Sequence, residues 1–184
     1  MEKTFWEAGL SGRVEDVKSI LRKNPSLNVN WKNEGEDART ALYAACYNVH
    51  DSVVSILLAH PDIDPNLKNK NGDTPFMIIC YSGRTSCVRL LLQDQRVMVN
   101  EPANDGCTPL REAAQQGHQD AIKLWIASGR EINLGKSGDN FKTDAIGTAK
   151  QEKKTEVVSL LERFKSDPSK TRSEVRLQLG ITNG

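Results

Sequence analysis

Several kinds of chemistry are excluded by what this 184-residue chain lacks. Cysteine occurs four times, at Cys46, Cys80, Cys87 and Cys107, with no CxxC pair and no accompanying histidine cluster. Reduced thiols in an intracellular protein are the simplest account. The three histidines, His50, His60 and His118, stand at no metal-ligand spacing. No GxxxxGK(S/T), GxSxG or HExxH motif occurs, so neither a phosphate loop, a nucleophile elbow nor a zincin helix is supported. We therefore expect no catalytic residue, no metal and no cofactor. No apolar run approaches membrane-spanning length, and MEKTFWEAGLSG holds no apolar stretch before a small-residue cleavage site. That reading leads us to expect a soluble cytoplasmic protein, with the nucleus left open. Lys+Arg 25 against Asp+Glu 24 leaves a net charge of +1, which recommends neither nucleic acid nor an anionic membrane. A local basic bias over residues 150–176 (8−5=+3) is accounted for by a solvated helical cap. Aromatics are scarce at 5%, enough for a thin core spread along an elongated array.

What the chain does have is a period. Thr40, Thr74, Thr108 and Thr143 open similar stretches, and their spacings are 34, 34 and 35 residues. In register the stretches read TALYAACYNVHDSVVSILL, TPFMIICYSGRTSCVRLLL, TPLREAAQQGHQDAIKLWI and TDAIGTAKQEKKTEVVSLL. A period near 34 marks a stacked-repeat solenoid. Thr74-Pro75 and Thr108-Pro109 pair an N-cap hydroxyl with a residue suited to the first helical position. About nine residues on, Gly83 or Gly117 can take the positive φ that ends a helix, and a second apolar stretch follows. Each repeat is thus a helix, a tight turn and a second helix. The connections KNKNGD and EPANDG carry Asn-Gly and Asp-Gly and should project as hairpin-like fingers. Repeat two has Val49 where its neighbours have glycine; a β-branched residue is strained there, so we expect Asn48 to take the left-handed conformation instead.

These features together resemble ankyrin repeats, over roughly residues 3 to 164, with NGDTPFMIICYSG and DGCTPLREAAQQGHQDAIKLWIASG carrying the likeness. Repeat one is marked by WEAGLSGRVEDVKSIL with Gly12 at the turn and Lys3 for the threonine; repeat five keeps Thr143 but has Asp144 for proline and Glu152 for glycine. The expected fold is all-α: an ankyrin-repeat solenoid of five repeats (about 3–37, 38–71, 72–105, 106–140 and 141–164) within residues 1–165. Residues 166–184 form a C-terminal extension in which Asp167-Pro168 and Gly180 favour a short helix, folded back to cover Leu160 or Leu161; an exposed docking motif is the rival.

The aligned columns make physical sense. One reads Gly9, Cys46, Cys80, Ala114 and Ala149, small throughout, where neighbouring helices approach closely. Two second-helix columns, Asp16, Val53, Cys87, Ala121, Glu156 and Ser19, Ile56, Leu90, Leu124, Ser159, are apolar inside and polar or small at the ends. That pattern predicts caps at repeats one and five, and an array complete in this chain. Cys46, Cys80 and Cys87 fall in packing columns, whereas Cys107 at a finger is expected to be exposed and oxidisable.

The resemblance also implies function. Ankyrin arrays bind proteins on a concave face formed by fingers and first helices. Carried over by position, the finger residues are Arg39, Lys70, Asn71, Asp73, Asn104, Asp105, Cys107 and Lys142. The first helices add Trp6, Tyr43, Met77 and Arg111 in one column and Leu10, Tyr47, Tyr81, Gln115 and Lys150 in another. The first column lacks the histidine of TPLH-like motifs. Trp6, Tyr43, Tyr47, Met77 and Tyr81 are expected to form an aromatic and soft apolar patch that anchors a partner; the competing reading packs Trp6 into a cap and leaves only the tyrosine hydroxyls wet. Ankyrin domains can also be substrates of an asparaginyl hydroxylase, which makes Asn66 in DIDPN a candidate and Asn30, Asn100 and Asn133 weaker ones. The expected function is a monomeric, non-catalytic scaffold or adaptor that binds another protein; the alternative is a regulatory or targeting subunit positioning a separate enzyme.

Overall fold

Three threonines start three helices by the same bond. In the computed structural model, which describes residues 1–135 and 143–181, the hydroxyls of Thr40, Thr74 and Thr108 accept hydrogen bonds from the backbone N–H of Tyr43, Met77 and Arg111 at 3.1, 3.1 and 3.3 Å. Each satisfies one donor that the helix itself leaves unpaired. The described residues form five helix pairs: α1 (Glu2–Leu10) with α2 (Val14–Lys23), α3 (Ala41–Tyr47) with α4 (Asp51–Leu58), α5 (Pro75–Ser82) with α6 (Thr85–Gln93), α7 (Pro109–Gln116) with α8 (Gln119–Ser128), and α9 (Ala145–Gln151) with α10 (Thr155–Ser166). The first helices α1, α3, α5, α7 and α9 stack as an inner row and the second helices as an outer row. The core runs between the rows as one continuous cluster, with Phe76 edge-on to Trp125 at 5.0 Å near its centre. The architecture is an all-helical repeat solenoid; no strand occurs among the described residues, and the fingers are hairpin-like turns closed by bonds such as Asn69 N–H to Asp73 C=O at 3.0 Å and Ala103 N–H to Cys107 C=O at 2.9 Å.

Every pair turns over on one device. The N–H groups of Arg13, His50, Arg84, His118 and Lys154 donate to the carbonyl five residues earlier, at 2.8–3.1 Å. The residue preceding each is left-handed: Gly12, Val49, Gly83, Gly117 and Lys153, with φ of 68°, 61°, 65°, 84° and 55°. Val49 thus does adopt the strained conformation, and Asn48 stays at φ −92°, contrary to expectation. The reason is that five stacked turns share one geometry, and moving the left-handed residue by one would break the His50 bond to Ala45. Glycine is needed at positions 12 and 83 for a second reason. The imidazoles of His50 and His118 lie against them, each with Nε2 bonded to a carbonyl at the end of the preceding inner helix, Leu10 O at 3.0 Å and Tyr81 O at 2.9 Å. A Cβ on Gly83 would meet His118 at 2.3 Å. By register, the position that His50 and His118 take opposite Gly12 and Gly83 belongs to Arg84 opposite Val49.

Repeat five is offset by one residue from the expected alignment. Asp144, not Thr143, caps α9, its carboxylate accepting from Gly147 N–H at 2.7 Å, and Lys153 rather than Glu152 takes positive φ. The interior columns are therefore continued by the buried Val157 and Leu160, not by Glu156 and Ser159, so the polar break expected in these columns at repeat five does not occur. The corrected register moves the break to the small-residue column, where Lys150 replaces Ala149 and pairs with Glu162 at 2.6 Å.

A last helix, α11 (Pro168–Gln178), begins at Asp167, whose carboxylate accepts from Lys170 N–H at 2.9 Å, and packs along α10 and α8 with Thr171 and Val175 buried. It also completes a pattern of outer-helix capping. Arg96 donates to Leu58 and His60 carbonyls at the end of α4, Arg130 to Leu92 and Asp94 carbonyls at the end of α6, and Arg172 of α11 to Ile126 O at the end of α8 at 3.1 Å. A guanidinium at a helix C-terminus satisfies orphan carbonyls and opposes the negative end of the dipole.

Two stability measurements follow from this arrangement. Val49→Asn keeps the turn but removes a β-branched residue from the left-handed region, and should raise unfolding free energy by about 1 kcal/mol in urea titration. Val175→Ala should lower it by about 2 kcal/mol if α11 is integral to the array, and leave it unchanged if the helix is a detached appendage.

Candidate functional site

The face formed by the inner helices and fingers is laced together by its own polar groups. Lys70 N–H donates to Asp37 O at 2.9 Å and Asn104 N–H to Asn71 O at 3.0 Å, the same bond one repeat apart. The Asn104 amide donates to Lys70 O at 2.9 Å, and Lys70 Nζ reaches back to Glu34 O at 2.7 Å. Lys70, Asn71 and Asn104, carried over as partner-binding residues, are thus brought together as stitches between neighbouring fingers. Lys142, the finger residue of the last repeat, lies outside the described residues.

The expected aromatic patch divides into buried and exposed members. Trp6, Tyr43 and Met77 are buried to 4%, 2% and 3% exposure, so they do not present the surface expected of them. Trp6 joins the core of the first pair, and the Tyr43 hydroxyl lies 3.4 Å from the Asn69 amide beneath a finger. Burial, then the charge of Asp73, pushes the Tyr43 hydroxyl well above its ordinary pKa. Tyr47 and Tyr81 are different: each is half-exposed, at 49% and 50%, and they occupy the same position in successive inner helices. Gln115 continues their column and is partly exposed.

Arg39 links the buried and exposed halves. Its guanidinium carbon lies 5.6 Å from the centre of the Tyr43 ring and 5.3 Å from that of Tyr47, while one nitrogen is 3.3 Å from the Asp37 carboxylate. Such contacts are worth about 0.5–2 kcal/mol each, more as the cation loses water. One repeat on, Asp73 is fastened by the Asn69 amide at 3.2 Å and its own N–H bonds to Asn69 Oδ1 at 2.8 Å. Burial, reinforced by nearby Asp105 and opposed by Asn69, holds the Asp73 carboxyl above the usual range. Cys107 is buried, not exposed as expected, because its thiol turns inward to donate to Glu112 at 2.8 Å, with Arg111 Nη1 at 3.6 Å from the sulfur. Sequence reasoning passed over Glu112 and Ile78, which join this group from the helix side; the signal was their position relative to Asp73, not their type.

Asn66 spends its side-chain amide on the next repeat, donating to Arg96 O at 2.9 Å and accepting from Met98 N–H at 2.7 Å. Asn30 and Asn100 do the same with the loops that follow them. Asn133 does not belong to that column: its carboxamide oxygen accepts from Gly135 N–H as the Asp64 carboxylate accepts from Asn66 N–H, which places Gly135 at the Asn66 position.

No group of three or more His, Cys, Asp or Glu among the described residues could hold a metal. No described helix is long and apolar enough to cross a membrane. Thiol chemistry has a physical obstacle: all four cysteines are buried. Desolvation, aided by Asp51 and Glu112 respectively, pushes Cys87 and Cys107 up to about 12, and burial also raises Cys46 and Cys80. An aromatic disulfide reagent at pH 8 should therefore leave all four unmodified in the folded protein and react with all four in denaturant; rapid reaction of one thiol in the folded state would show an accessible thiolate.

No curated protein matches the chain. Residues 58–136 match a family model described as ankyrin repeats (3 copies), and residues 37–70 match one described as ankyrin repeat. The two matches cover the second to fourth helix pairs, where the Thr caps, the fingers and the turn geometry recur together. Together they span residues 37–136, more than half of the 184, and the chain belongs to the ankyrin-repeat family.

Proposed function

We propose that this chain is a non-catalytic scaffold or adaptor that binds a partner protein on the concave face made by its inner helices and fingers. Ankyrin repeats are generally protein–protein interaction modules, and the family is typically non-catalytic. The observation that carries the reading further is the pair Tyr47 and Tyr81, two half-exposed aromatic rings in one column of adjoining repeats. A tyrosine offers a large rigid apolar surface with a polar tip, and such residues dominate protein interfaces. The thiols are buried, and Lys70 and Asn104 of the fingers stitch the array, which leaves the rings and the charged groups around them as the source of binding energy in this reading.

The experiment compares Tyr47→Ala and Tyr81→Ala in affinity capture from the native source and in thermal unfolding. Tyr81→Ala should change stability by no more than about 0.5 kcal/mol. Tyr47→Ala should cost about 1 kcal/mol more, because Arg39 loses a ring. Each should weaken partner binding by about 2 kcal/mol, roughly 30-fold. Capture unaffected by both substitutions would remove the reading.

A further inference from the structure

Repeats two and three carry the same slot with different contents. In repeat two the slot between finger and inner helix is filled from within: Arg39 lies over the rings of Tyr43 and Tyr47. Thirty-four residues on, Arg39, Tyr43 and Tyr47 become Asp73, Met77 and Tyr81, and Ile78 becomes Glu112. The cation is replaced by an anion, and a second anion stands among the residues that line the cavity of repeat three. That cavity, of about 210 Å³, opens beside the Tyr81 ring, walled by Met77, Ile78 and Tyr81 and bordered by Asp73, Asp105 and Glu112.

We propose that this slot receives an arginine side chain of the partner protein, its guanidinium over the Tyr81 ring and between the carboxylates of Asp73 and Glu112, as Arg39 fills the equivalent slot of repeat two. The inference rests on the reading that this face binds a protein. Charge complementarity selects a cation, since an apolar or acidic side chain would desolvate or repel the carboxylates that border the cavity. The apolar walls suit the aliphatic stem of a long side chain. Arginine fits better than lysine because its planar group both stacks on a ring and forks to carboxylates. Asp73 is pre-set for that role: the Asn69 amide holds one carboxylate oxygen at 3.2 Å. Glu112 is likewise oriented by the Cys107 thiol at 2.8 Å.

The test uses the full chain and N-acetyl-arginine amide as probe, followed by NMR with labelled tyrosine, isoleucine and methionine. Saturable shifts at Tyr81, Ile78 and Met77 are expected, with the citrulline analogue at least about tenfold weaker because it lacks the charge. Asp73→Asn should weaken arginine binding about tenfold. Asp73→Arg should reproduce the repeat-two arrangement, abolishing the probe's effect on Tyr81 while leaving the melting temperature unchanged or higher. Absence of a saturable shift at Tyr81, equal binding of citrulline, or undiminished arginine binding to Asp73→Arg would each overturn the proposal. The reading beneath it fails separately. Partner capture lost with Tyr81→Ala but untouched by Asp73→Asn and Asp73→Arg would discard the arginine slot and keep the binding face; arginine binding at Tyr81 with capture indifferent to both tyrosines would do the opposite.

Discussion

The side-chain amides of Asn30, Asn66 and Asn100 hold neighbouring repeats in register, and the rest of the array is arranged around them. Each amide donates to one backbone carbonyl of the following loop and accepts from an N–H two residues later: Asp62 and Asp64 for Asn30, Arg96 and Met98 for Asn66, Glu131 and Asn133 for Asn100. Hydrophobic burial is non-directional. A two-point hydrogen bond is not, since its strength falls steeply with misalignment. The clasp is seconded by lysines whose amino groups reach the next loop, Lys32 to Lys68 O at 2.7 Å and Lys68 to Pro102 O at 2.9 Å. On the outer row, arginines borrowed from the following repeat or from α11 do the same for helix C-termini. Any chemistry performed on the Asn66 side chain would first have to release its two bonds, so accessibility of that residue is a property of the loop leaving the array, not of the folded loop.

How much of this could be read from the chain follows from the range of the interactions involved. The caps at Thr74 and Thr108 were legible because the bond runs only three residues along the chain and proline marks the next position. The small-residue column was legible because close approach of helices restricts residue size directly; a Cβ on Gly9 would already lie 3.2 Å from Ala41. Val49 was misread because local strain was weighed without the shared turn that the stack imposes. Repeat five was misaligned because Thr143 and Asp144 are both able caps and sit side by side; the Gly147 N–H bond to the Asp144 carboxylate and the burial of Val157 and Leu160 decide between them. The aromatic patch was half legible: period and resemblance place Trp6, Tyr43 and Met77 on the finger side of the inner helices. They do not reveal that the fingers and the first-pair core cover them, which depends on side-chain packing between repeats.

A repeating scaffold also separates what holds it from what it recognises. The Thr caps, the five-residue turn bonds and the Asn clasps lie on backbone groups or at the loop edge, and none of them touches the position occupied by Arg39 in one repeat and Asp73 in the next. That position can reverse its charge without disturbing any bond that sets the register. In repeat two the arginine is costly in one respect, since its Nε is buried without a hydrogen bond, and is retained by two rings and Asp37. In repeat three the same geometry, held by the same clasp, leaves a ring half in solvent beside carboxylates that Asn69 and Cys107 keep in place. The two slots therefore differ in the charges that line them and not in architecture. The filled slot acts as the internal standard for the other: it shows that this backbone accepts a guanidinium between finger and inner helix.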